Sequence, residues 1–162
     1  MIRLFRHIAL CTPMLLCLLF ASCEKDRTCR QEMTAHARIN LSAVTVLSDD
    51  SRMEAAPDSI TIGLVGSDSL VLENAHSEQT VGVELRADTT LTKVVVIYHE
   101  EADTLTVFHT NEQRYVSLAC GCMVRHIIDS VQTTHHRIDS SAILNAVVTT
   151  AKENHLQLWF HP

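Results

Sequence analysis

Apolar residues recur at every second position along most of this chain, in short runs, and that period admits little besides β-strands. Ala37, Ile39 and Leu41, continued by Val44 and Val46, form the first run, within 33–46. Ile60, Ile62 and Leu64 form the next, and Leu70-Val71-Leu72 follows the turn Gly66-Ser67-Asp68. Val81, Val83 and Leu85 then repeat the alternation. In 91–98 the run Val94-Val95-Val96-Ile97 is apolar on both faces, as expected of a central strand. Further strands are expected at 105–108, 115–119, 123–128, 142–148 and 156–160, although 142–151 would also suit a short helix. The segment 48–58 reads as a polar connection, and 100–103 as a tight acidic turn around Glu101-Ala102. With only 4 Gly, the turns rely on Asp, Ser, Asn and Thr. The expected fold is all-β: a single antiparallel β-sandwich of immunoglobulin-like architecture.

Ahead of the strands lies a segment of different character. Arg3 and Arg6 precede the apolar run 8–20, which is shorter than the roughly 20 residues a spanning helix needs. Phe20-Ala21-Ser22-Cys23 follows directly and resembles a bacterial lipobox, with Phe20 departing from the usual Leu. Cys23 is therefore the expected lipidation site, with 1–22 a cleaved signal peptide, 23–35 a tether and 36–162 the folded domain. Glu24-Lys25-Asp26 after that cysteine resembles the surface-export signal of some Bacteroidetes lipoproteins. Cleavage would remove Arg3 and Arg6, leaving 11 basic residues against 19 acidic, a net charge of −8. Such a chain is repelled by anionic lipid, so the acyl group must provide the attachment. The same balance argues against nucleic acid as a partner.

Cys11 and Cys17 leave with the signal and Cys23 is spent on the lipid, so Cys29, Cys120 and Cys122 remain. Outside the cytoplasm a disulfide among them is expected. Cys120 and Cys122 in one strand would lie about 6.6 Å apart, near the upper limit for bridging. A Cys29–Cys120 bond is the better expectation; closing a loop of about 91 residues, it would contribute on the order of 4–5 kcal/mol. The alternative chemistry is a metal set: Cys120-x-Cys122-x3-His126, with His135 or His136 as a further ligand. Its spacing matches no strong zinc signature, and oxidation would consume the thiolates. No cofactor is expected.

Towards the C-terminus the chain resembles a family of small lipoproteins from Bacteroidales, a domain-of-unknown-function family. The resemblance is carried by Cys23-x5-Cys29, then by Asp103-Thr104-Leu105, His109-Thr110-Asn111 and Arg114-Tyr115-Val116-Ser117 running into Cys120-Gly121. Thr134-His135-His136-Arg137-Ile138-Asp139-Ser140 and Glu153-Asn154-His155-Leu156-Gln157-Leu158 complete it. It implies the Cys29–Cys120 pairing, with Cys122 as an extra, and a place in the envelope, but no reaction.

The nine His of residues 23–162 read as surface and edge-strand residues. Glu100, Glu101 and Asp103 read as a solvated turn, and Asp129-Ser130 with His135 is too local for a triad. There is no G-x-S-x-G, H-E-x-x-H or G-x-x-x-x-G-K-[ST]. Seven of nine Asp residues precede Ser or Thr. Five of these motifs resemble the O-glycosylation acceptor of exported Bacteroidetes proteins, with hydroxyls at Ser59, Ser69, Thr89, Thr104 and Ser130. Asp and Ser/Thr also close turns without any glycan. The expectation is thus a non-catalytic outer-membrane lipoprotein that binds an envelope ligand or protein, its face of the membrane left open. The alternatives are an envelope metal-handling protein and an envelope hydrolase.

Overall fold

The structure, a computed structural model, describes residues 29–47 and 51–161. The expectations for the signal, Cys23 and most of the tether lie outside the described residues. In chain order the strands are β1 (His36–Val46), β2 (Arg52–Ala55), β3 (Ile60–Leu64), β4 (Leu70–Ala75), β5 (Thr80–Glu84) and β6 (Leu91–Tyr98). They continue with β7 (Glu101–Ser117), β8 (Gly121–Thr133), β9 (Ile138–Ile143), β10 (Val147–Val148) and β11 (Asn154–Phe160). Every element is a strand, so the fold is all-β, and the helical option for 142–151 is excluded.

Two sheets form. Sheet A runs β2-β1-β11-β9, with β5 also pairing β1; sheet B runs β10-β8-β7-β6-β3-β4. Their inner faces share one sandwich-like core, with Ile39, Leu41, Val83, Leu158 and Phe160 from sheet A meeting Ile60, Ile62, Val94, Val96, Leu105 and Val107 from sheet B. Sheet B is antiparallel throughout, but β1 and β11 pair in parallel, which corrects the wholly antiparallel expectation. As expected, Val94–Ile97 is central, since β6 lies between β7 and β3.

Three further expectations are corrected. The polar connection holds β2, an edge strand exposed along its whole length, so no alternation marks it. Residues 142–148 divide between sheets, Ala142-Ile143 ending β9 and Val147-Val148 forming β10. Residues 105–119 belong mainly to one 17-residue strand, β7, whose far half forms a ribbon with the start of β8.

The β6–β7 turn is His99-Glu100, two residues earlier than expected. Both adopt positive φ (49° and 65°), the geometry of a two-residue type I′ hairpin loop. Non-glycine residues are strained there, and local contacts offset the cost. The His99 ring stacks on Tyr98 at 4.1 Å, and its Nε2 lies 3.2 Å from Asp58 Oδ1.

Moving the turn back changes the reading of Asp103. It is no solvated turn residue but falls in phase with Leu105 and Val107 on the inner face, and is 1% exposed. Its carboxylate receives the whole β8–β9 crossover. Thr134 Oγ1 (2.6 Å) and the His136 N–H (2.7 Å) donate to Oδ1, while the N–H groups of Arg137 (2.6 Å) and Ile138 (2.9 Å) donate to Oδ2. Burial raises the Asp103 pKa, but these donors outweigh it and hold the group down at about 2.

A depressed carboxylate stabilises the fold above its unfolded value of 3.8 and loses that contribution as pH falls through about 2. Asp103 should therefore supply about 2 kcal/mol that disappears between pH 4 and 2. Denaturant melts across that range would show the loss. Asp103→Asn should flatten it and, by opposing an amide to backbone N–H donors, cost about 3 kcal/mol at neutral pH.

Candidate functional site

The outer face of sheet A carries two adjoining depressions. Parallel pairing sets Ser42 beside Trp159 and Asn40 beside Gln157. Leu158 and Phe160 point into the core, so Trp159 between them points outward and is half-buried. Around it a groove of about 320 Å³ is lined by Val44, Val46, Arg52, Glu54, Asp139 and His161 among others. The Trp159 indole N–H reaches Glu54 Oε1 at 3.3 Å, and His161 Nε2 lies 3.3 Å from Asp139 Oδ1. A second depression on this face shares Glu54 and adds Asn40, Ser42, Thr80 and Gln157. Gln157 Nε2 donates to Ser42 Oγ at 3.0 Å and Thr80 Oγ1 to Asn40 Oδ1 at 3.2 Å. An aromatic plate, an uncharged polar row and a charged rim suit a ligand with one apolar face and several hydroxyl or amide groups. Sequence reasoning passed over Trp159. The signal was there: the only Trp of the chain sits on the outward phase of a strand whose other phase is core.

The residues singled out from the sequence are spread more widely. Cys29 and Cys120 form a disulfide with Cα atoms 4.7 Å apart, and Cys122 is an exposed free thiol. Cys122 lies near the start of β8, His126 is buried in its middle, and His135 lies beyond its far end. The structure does not bring these three together, and no group of three or more His, Cys, Asp or Glu residues suited to a metal occurs among the described residues. His136 Nδ1 instead meets Asp103 Oδ1 at 3.2 Å. Of the hydroxyls, Ser69 and Ser130 are exposed, whereas Ser59, Thr89 and Thr104 are half-buried. Ser59 Oγ donates to Asn74 Oδ1 at 2.5 Å and Thr89 Oγ1 to the Leu91 carbonyl at 2.7 Å.

The expectation of surface histidines fails for His109, His126 and His155, all buried. His155 Nδ1 accepts the Arg38 N–H at 2.9 Å, at the point where the β1–β11 register shifts. His109 and His126 share Asn111. The Asn111 amide nitrogen faces the carbonyls of Arg86 (3.2 Å), Ala87 (3.0 Å) and Thr89 (2.7 Å), so Oδ1 is the acceptor. Both His109 Nδ1 (2.8 Å) and His126 Nδ1 (2.7 Å) must then donate to it. His109 Nε2 lies 2.9 Å from the Thr92 hydroxyl, whose oxygen receives the Arg86 N–H (2.9 Å). This network holds the β5–β6 crossover down on β7. Both ring nitrogens of His109 are spent in it.

Burial, and then the neighbouring His109, push the His126 pKa from 6.5 down to about 4. The unfolded chain takes this proton first, so the stabilisation is complete above pH 6.5 and is lost as pH falls towards 4. The loss should be on the order of 3 kcal/mol, read as a falling denaturation midpoint between pH 6.5 and 4. His126→Gln keeps a donor for Asn111 without titrating, and should remove most of that slope.

No curated protein and no solved structure matches the chain significantly. A family model described as a family of unknown function (DUF6452) matches residues 59–160, from β3 through β11, a span that includes Asp103, Asn111 and Trp159. The chain belongs to that family.

Proposed function

We propose that this protein is a non-catalytic envelope lipoprotein, anchored by acyl chains on Cys23, that presents the open face of sheet A to an envelope ligand or partner. The observation that carries the reading is the Cys29–Cys120 disulfide, because such bonds persist in oxidising compartments. Its N-terminal half lies six residues after the lipobox cysteine. The fold class proposed is a β-sandwich of immunoglobulin-like architecture, a reading supported by two sheets of short strands around one core. Binding rather than catalysis is supported by how the polar groups of β7 are used: buried Asp103 and His109 and half-buried Asn111 are all engaged in holding crossovers. The ligand class that fits the Trp159 groove is a glycan or an extended peptide. Any O-glycan on the chain would fit Ser69 and Ser130, which are exposed.

Cys23→Ala should move the protein from the membrane to the soluble fraction, and unchanged membrane association would sink the anchoring. As the only Trp, Trp159 reports on its own groove. Glycan or peptide fragments from the envelope should shift its emission on binding. Arg52→Ala should weaken that binding about tenfold, the loss of roughly 1.4 kcal/mol.

A further inference from the structure

The ribbon formed by the far half of β7 and the start of β8 ends in the most exposed apolar group described. Leu118 is 97% exposed at its tip and Tyr115 is 65% exposed nearby. Tyr115 pairs with Cys122, and Gly121 (φ 73°) supplies the left-handed residue that lets β8 begin. Exposure of this kind has a cost in water unless something covers it. Charge singles out the same segment. Between Glu112 and Asp129 there is no acidic residue, and Arg114 and Arg125 are the only charged side chains, in a chain that is acidic overall. Glu112, at the base of the ribbon, pairs with Arg125 at 2.7 Å and with Arg114 at 3.6 Å, so the segment keeps one positive charge in excess.

The disulfide then fixes where the tip can be. Cys120 is two residues from Leu118 and is bonded to Cys29, which follows Cys23 by six residues. Six residues reach at most about 20 Å. We infer that the ribbon tip is a second membrane contact: Leu118 and Tyr115 enter the headgroup region of the bilayer while Cys23 holds the acyl chains. This rests on the lipoprotein reading above. Leucine supplies the apolar insertion, tyrosine suits the wet interface, and Arg114, held by Glu112 behind it, adds the positive charge nearest the tip. The disulfide makes the contact intramolecular, so a tip too small to bind a membrane alone is kept at high effective concentration beside one.

The test is depth-dependent quenching on the full lipidated chain in phosphatidylcholine vesicles, with and without bromine on the acyl chains. Leu118→Trp in a Trp159→Phe background places the only indole at the tip; the unaltered protein, with Trp159 alone, is the reference. The expected result is a blue-shifted tip emission quenched about twofold or more by brominated lipid, with Trp159 unquenched. Cys29→Ser with Cys120→Ser should leave flotation with vesicles intact and abolish most of the quenching. Flotation without tip quenching would overturn the contact alone. Failure of the parent protein to float would overturn the anchoring, and the contact with it.

Discussion

One buried carboxylate organises the passage from β8 in one sheet to β9 in the other. Taking Asp103 out of water is costly, and four donors from a single crossover offset that cost. Its position therefore fixes where Ile138 begins β9, and β9 in turn flanks β11 and the groove around Trp159. Asn111, further along the same strand, does the equivalent for the β5–β6 crossover with a neutral side chain. β7 is thus the element to which both crossovers are fastened. The apolar core gives the sheets a reason to face each other, and these two side chains hold two of the six passages between them.

Much of the β-structure was legible because one face of each strand is buried. Where neither face is buried, as in β2 and the far half of β7, alternation carries no signal. Asp103 was misread because Glu100 and Glu101 precede it, and three acids within four residues suggest solvent. Its phase with Leu105 and Val107 was the better guide, and the same holds for His109 and for His126 beside Ile128. The turn at His99-Glu100 lacks the glycine that marks most hairpins of its type. Nothing in local sequence could reveal that β1 and β11 are partners.

The candidate site divides in the same way. The disulfide pair could be reached by elimination and resemblance. The outward phase of Trp159 was legible in its strand, but its neighbour Arg52 was not, because an open sheet face is assembled from strands distant in sequence. The groove lies at the Asp103 end of the sandwich, since Phe160 packs on Tyr98 at 5.2 Å next to the β6–β7 turn. The disulfide lies at the other end of β7, a strand roughly 50 Å long if fully extended. On the anchored reading, the ligand face points away from the lipid.

The parallel pairing of β1 with β11 also dictates an order of events. Sheet B contains the meander β6-β7-β8, whose partners are neighbours in sequence and can meet as soon as they are made. Sheet A closes through contacts such as Arg38 with His155, 117 residues apart. Long-range pairing of this kind is slow and waits for the whole chain. A ribosome therefore handles an unfinished domain until β11 has emerged. The surface that carries Trp159 exists only after that last strand has docked.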